Sequence, residues 1–195
     1  MRAPLLRGEM TRLRPIDARD ADRLWESLHD PEGMRLTGTT ATFTRSEIDE
    51  WAATVGDREG RYDWVITPGA VRDGELVSDE MIGEIVLNEL DEASRSANLR
   101  LQMLPDYRGR GYGREAIEQV LRFAFDGVPG HAGPRLHRVG LDVLSINPRA
   151  KALYASLGFI EEGRLREVYR DGDSWADAIV MSVLEDEFRH HGRAG

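Results

Sequence analysis

One stretch of this chain restricts its possible folds more than any other. Leu99 to Phe125 reads LRLQMLPDYRGRGYGREAIEQVLRFAF: an apolar strand, a loop of glycines and arginines, then a helix whose apolar stripe is Ile117, Val120, Leu121, Ala124 and Phe125. Gly109, Gly111 and Gly113 carry no Cβ, so an anionic ligand can approach their backbone closely. The helix opens at Tyr112 or Gly113, and its first N–H groups lack intrahelical partners and point outward with the positive end of the dipole. Arg108, Arg110 and Arg114 add formal positive charge at the same place. Strand, glycine turn and helix N-terminus together make an anion site, for which a diphosphate is the natural occupant. Arg138 to Leu144 reads as another strand after this helix, and a strand–helix–strand crossover makes the two strands parallel neighbours. In such a sheet a ligand sits beyond the carboxyl ends of the strands, where residues 108–113 fall.

Two common phosphate loops are excluded. Counting from Gly109, the sixth position of a dinucleotide fingerprint is Arg114 instead of glycine, and no Lys followed by Ser or Thr makes a Walker loop. Composition narrows the classes further. The 195 residues suit one domain with a sizeable core, and the absence of cysteine removes disulfides, thiolate metal sites and thiol nucleophiles, in keeping with a cytoplasmic protein. A formal net charge of −9 weighs against a nucleic-acid partner and favours encounter with cationic substrates such as amines. No apolar run approaches the roughly 20 residues of a membrane helix, so no membrane partner is expected. The five histidines, His29, His131, His137, His190 and His191, lack metal-ligand spacing, and no metal is expected.

The rest of the chain predicts one mixed α/β (α+β) domain over 1–195, with a core of about 11–184 and short flexible tails. The segment MRAPLLRGEM reads as a tail, Thr11–Arg14 as a strand ended by Pro15, and Asp17 or Asp20 as the cap of a helix to His29. Pro31, Gly33 and Gly38 read as breaks. Thr44 with Glu47 is a capping-box signature for a helix to Val55. Tyr62–Thr67, Met81–Leu90 and Ala97–Leu104 form an antiparallel meander with a long loop at Pro68–Glu80. Pro148 starts and Gly158 ends a further helix; strands from Phe159 toward Tyr169 and from Trp175 to Leu184 follow, and Glu185–Gly195 reads as a charged tail. The sheet then holds about seven strands.

Arg108, Gly111 and Gly113 spell Arg-x-x-Gly-x-Gly, which resembles the coenzyme A loop of the GNAT superfamily of acyl-CoA N-acyltransferases. Asn147-Pro148-Arg149-Ala150, Leu153-Tyr154 and Leu157-Gly158-Phe159 are similar to the same family's second motif. Glu161-Glu162-Gly163, Asp171-Gly172, Asp177 and Met181 look like the subgroup of ribosomal-protein alanine N-acetyltransferases. The resemblance covers about Thr11 to Leu184 and implies acetyl-CoA, or another acyl-CoA, as co-substrate.

It further implies that Gln102, Met103 and Leu104 pair their backbone with the pantetheine arm, with an N–H near Met103 or Leu104 on the thioester carbonyl. Residues 108–114 (Arg108, Gly109, Arg110, Gly111, Tyr112, Gly113, Arg114) would hold the diphosphate, Asn147 the pantetheine, and Tyr154 would protonate the leaving thiolate. A tyrosine with an ordinary pKa near ~10 is a proton donor at neutral pH. Strand alternation puts Glu84 on one face with Val86 and Asn88, making it the general-base candidate, with Asp142 a lesser one. The acceptor implied is a primary amine of a protein N-terminus or a small molecule. A homodimer is expected by analogy alone, and the alternative activity is a non-catalytic CoA-binding module, since fold does not fix function.

Overall fold

The computed structural model describes residues 2–69, 71–72, 75–76 and 78–191. The expected loop at Pro68–Glu80 is therefore described in part, and residues 192–195 of the expected tail lie outside it. In chain order the strands are β1 Leu6–Arg7, β2 Thr11–Pro15, β3 Tyr62–Pro68, β4 Val71–Arg72, β5 Glu75–Leu76, β6 Gly83–Asp91, β7 Ser96–Met103, β8 Arg138–Leu144, β9 Ile160–Asp171 and β10 Ser174–Leu184. The helices are α1 Ala21–Ser27, α2 Pro31–Thr37, α3 Arg45–Thr54, α4 Tyr112–Asp126, α5 Pro148–Ala155 and α6 Glu185–His191.

Eight strands, one more than expected, form the main sheet in the order β1-β2-β3-β6-β7-β8-β10-β9; β4 and β5 make a small hairpin apart from it. The additional strand comes from the N-terminal segment read as a tail. Leu6 is buried and pairs with Leu13, a two-residue strand too short to show a period. Its approach is fixed by Glu115 on α4, whose carboxylate accepts the N–H groups of Glu9 (2.7 Å), Met10 (3.0 Å) and Thr11 (2.6 Å). Pro15 extends β2 instead of ending it, opposite Trp64.

Two further expectations are corrected. Pro31 and Gly38, read as breaks, are the two ends of α2: Asp30 caps its N-terminus by accepting from Gly33 N (3.0 Å), Pro31 occupies the first turn, and Gly38 closes it at φ 68°. The stretch from Glu185 is a helix with an acidic first turn, and Phe188 packs on Phe125 at 5.6 Å between ring centroids.

Both faces of the sheet are covered. Ile117, Val120, Leu121 and Ala124 of α4, the stripe visible in the sequence, meet Trp64, Ile66, Ile85, Leu87 and Leu99. On the opposite face, Leu24 of α1 with Ile48 and Ala52 of α3 cover Val65 and Met81. The crossover through α4 makes β7 and β8 parallel, as expected, but the pairing lasts only from Ser96↔Arg138 to Asn98↔Gly140. Beyond that point β7 stays with β6 as far as Met103↔Gly83, and β8 stays with β10 as far as Leu144↔Ala178. The two strands part, and the edge of β7 from Leu99 onward has no strand beside it.

Candidate active site

The opening between β7 and β8 exposes backbone with a determinable orientation. Leu104 N donates to Ile82 O at 3.0 Å, so just past the end of β7 the Leu104 N–H points toward the β6 side. Antiparallel ladders alternate, so the adjacent Met103↔Gly83 pair turns its N–H and C=O groups away from β6, into the opening. Met103 O indeed accepts from Arg108 Nε at 3.0 Å on that side. Of the two residues expected to present an N–H to a thioester carbonyl, Met103 has it available. Leu104 does not: it is 2% exposed and its N–H is spent on Ile82. Gln102 turns its side chain to the α1 face, where Nε2 donates to Ser27 O at 2.9 Å and anchors the end of α1 over β7.

After Leu104 the chain makes one helical turn, Pro105–Tyr107, and enters the glycine loop. Gly109 (φ 75°) and Gly111 (φ 89°) occupy the left-handed region that L side chains avoid, and Gly111 is the N-cap of α4 with no side-chain cap bond. Gly113 is needed for a different reason: a Cβ there would sit 3.2 Å from Leu101 Cδ2, so its absence lets the first turn of α4 close on β7. Among the described residues the N–H groups from Gly109 to Arg114 have no hydrogen-bond partner, an arrangement complementary to an anion.

The arginines of this loop are not deployed as their sequence suggests. Arg108 is a clamp: its guanidinium pairs with Asp30, reaches Glu32 Oε2 at 2.9 Å and holds Met103 O through Nε. Its charge is neutralised by the start of α2, so the side chain expected at the diphosphate is engaged with Asp30 and Glu32 in this structure. Arg114 is bonded to Ser156 Oγ and lies 3.6 Å from Glu118. Arg110 lies over the Tyr107 ring at 6.0 Å. Sequence reasoning missed Arg149. It stands in the first turn of α5, and its Nη2 lies against Gly109 so closely that a Cβ there would displace it. One signal was present in the sequence, a cation two residues past a helix cap, where the dipole disfavours positive charge.

Asn147 and Tyr154 lie on the β8 side of the opening. Asn147 is the N-cap of α5, its Oδ1 accepting from Ala150 N at 3.1 Å, and its Nδ2 reaches Leu36 O of α2 at 3.5 Å. Tyr154 belongs to the core on the α4 side and stacks obliquely on Phe159 at 5.7 Å. Its hydroxyl has no hydrogen-bond partner among the described residues, and burial pushes its pKa up to about 12, which keeps it protonated at neutral pH.

Glu84 sits on β6 directly between Val65 and Gln102, facing α1 and α3 as alternation predicts. Half-buried, its carboxyl is pushed up to about 7 by burial and the nearby Asp63, against the opposing pull of Arg100 and Arg61. Asp63 is itself paired with Arg61 at 2.6 Å. Asp142 is exposed on β8. Glu84 and Tyr154 thus lie on opposite sides of the β7 edge, with no contact between them. The residues expected in the loop, at the end of β7 and at the start of α5 do surround one opening.

Comparison with known proteins agrees with this layout. Spermidine N(1)-acetyltransferase of Vibrio cholerae is 31% identical over 114 residues, 58% of this chain and 62% of that protein, so the aligned region spans under two thirds of that relative. YdaF of Bacillus subtilis, a candidate ribosomal N-acetyltransferase, is 24% identical over 190 residues, 93% of this chain and 94% of that protein. In three dimensions the crystal structure of the V. cholerae spermidine N-acetyltransferase with CoA and spermine superposes with a TM-score of 0.78 at 22% identity, covering 93% of this chain and 99% of that one. The Acetyltransferase (GNAT) domain profile matches residues 11–160, from β2 through the glycine loop to the end of α5 and the start of β9. With the parted β7–β8 pair and the uncapped loop at its mouth, that match over well over half the chain shows that it belongs to the acetyltransferase (GNAT) family.

Proposed function

We propose that the protein moves an acetyl group, or another short acyl group, from acyl-CoA to a primary amine by direct transfer in a ternary complex. One observation carries the reading: the open edge of β7 ends at a loop whose N–H groups are free, so a single track joins a row of amide-binding groups to an anion site. Acyl-CoA fits that track, since its amide-bearing arm can lie along Leu99–Met103 with its diphosphate on residues 109–114.

In this arrangement the Met103 N–H donates to the thioester oxygen and stabilises the oxyanion that develops there. The amine nitrogen attacks the carbonyl carbon, a C–N bond forms, and the C–S bond then breaks. The departing thiolate takes the phenolic proton of Tyr154, and the proton lost by the amine goes to the Glu84 carboxylate, directly or through water. The products are the amide and free CoA thiol, and both side chains return to their starting states by exchange with solvent.

The acceptor would approach from the α1–α2 side. A cavity of about 300 Å³ there is lined by Leu28, His29, Pro31, Met34, Ala41 and Phe43, next to the segment that Gln102 and Arg108 tie to the end of β7. Its apolar lining suits an amine carried beside an apolar group, as on a protein N-terminus or a small hydrophobic amine. The relatives named for spermidine and for the ribosome extend the amines worth assaying. Calorimetric titration with acetyl-CoA, followed by thiol release over N-terminal peptides, polyamines and small amines, tests the reading. Micromolar binding and turnover with one class are expected; no heat from folded protein overturns it.

A further inference from the structure

We propose that Arg149 is a cation that binds the diphosphate of acyl-CoA, taking the part that the sequence offers to Arg108. The inference rests on the acyl-CoA reading above and assigns one residue within it.

Four observations converge. The Arg149 guanidinium lies directly over Gly109, where any Cβ would overlap it, so the glycine loop and this side chain form one surface. Arg149 makes no ion pair and no hydrogen bond among the described residues, a state it shares with Arg110, which lies over the Tyr107 ring, whereas Arg108 is held by Asp30 and Glu32 and Arg114 by Ser156 and Glu118. Arg149 also stands in the first turn of α5, whose end already carries partial positive charge, so the cation is disfavoured there unless an anion lies between. Finally, the loop N–H groups that converge beside it are themselves without partners.

The geometry has a mechanical side. The loop grows from the end of β7 and Arg149 from the helix after β8, the two strands that part beyond Asn98 and Gly140. A diphosphate held by both is gripped from the two lips of the opening at once. Its negative charge answers the Arg149 guanidinium and the positive end of α5 on one side and the positive end of α4 on the other.

The test compares wild type, Arg149→Ala and Arg149→Lys by calorimetry with CoA and with dephospho-CoA, which keeps the diphosphate and lacks the 3′-phosphate. Acetyl-pantetheine, which has neither, serves as a minimal acyl donor. Because Arg149 has no partner among the described residues, Arg149→Ala should melt with wild type, which separates a ligand role from a structural one. The alanine variant should bind CoA and dephospho-CoA about tenfold or more weakly and by the same factor, as expected for one lost charge-assisted contact. Lysine should restore part of the loss. KM for acetyl-CoA should rise with kcat unchanged, and turnover of acetyl-pantetheine should not change. Equal CoA affinity in wild type and Arg149→Ala overturns the assignment alone. So does a loss seen with CoA and not with dephospho-CoA, because the cation would then read the 3′-phosphate. If wild type binds none of these ligands, the acyl-CoA reading itself fails.

Discussion

Arg108→Ala separates the two roles open to this arginine. As a phosphate ligand, its loss would weaken CoA binding and leave the fold intact. As the clamp seen here, it joins three groups: the Met103 carbonyl at the open edge of β7, Asp30 at the cap of α2, and Glu32 in its first turn. The Arg108 and Asp30 side chains are 19% and 11% exposed, so removing the cation strands a largely buried carboxylate. Breaking a fully buried pair costs about 3–5 kcal/mol. Water still reaches one fifth of the arginine, and Asp30 keeps its bond to Gly33 N, so we discount that to about 2–3 kcal/mol. For a chain of this size each kcal/mol lowers Tm by about 2–4 °C, giving an expected drop of about 4–12 °C. Adding Asp30→Asn should recover much of it, because asparagine caps a helix as well as aspartate and leaves no stranded charge. Thermal melts of the single and double variants, each paired with a CoA titration, decide the matter. A single variant that melts within about 1 °C of wild type while losing tenfold or more in CoA affinity refutes the clamp and returns Arg108 to the ligand.

Three other outcomes follow from the same geometry. Tyr154→Phe should slow transfer while leaving both CoA affinity and Tm unchanged, since the hydroxyl has no partner to lose among the described residues; an unchanged kcat removes Tyr154 from the mechanism. Glu84 binds its proton more tightly folded than unfolded, so its burial costs nothing below its ordinary pKa of 4.5, and stability falls as pH rises through about 7. Glu84→Gln should therefore gain up to about 3 kcal/mol over wild type above pH 7 in urea melts. It should also flatten a kcat/KM profile that in wild type rises through about pH 7, and a profile identical in the two proteins excludes Glu84 as the base. Glu115→Gln weakens the carboxylate that gathers the Glu9, Met10 and Thr11 N–H groups, and should cost about 1–3 kcal/mol; hydrogen exchange at those three amides no faster than in wild type would show that Glu115 does not hold the segment.

The strand–loop–helix unit and the meander were legible because each follows from a local rule: alternation in MIGEIVLNEL, the stripe on α4, a capping box at Thr44 and Glu47. What escaped was decided by distant partners or by very short elements. Pro31 and Gly38 are punctuation either way, and whether they break a chain or bound a helix turns on the six residues between them, among which Gly33 misleads. Leu6–Arg7 has no period to detect, and the Glu185 helix declares itself mainly through Phe188 meeting Phe125. The loop arginines show the limit most clearly. Charge beside glycines reads as an anion site, yet Asp30 and Glu32 come from a helix far back in the chain to neutralise Arg108, and Arg149 arrives from a helix further on. Spacing reports what a residue is next to in sequence, and electrostatics depends on what it is next to in space.

An unpaired strand edge on the outside of a protein is a hazard, because its row of N–H and C=O groups will accept a strand from any neighbour. Here the chain makes such an edge where β8 leaves β7, and keeps it indoors. The walls are its own: α4 and the glycine loop at one end, α2 across the gap, α5 beyond. On the acyl-CoA reading proposed above, the guest at this edge is a slender chain with amides along it. A feature that elsewhere seeds aggregation thereby becomes selective, admitting a guest by its thinness and by the spacing of its hydrogen bonds.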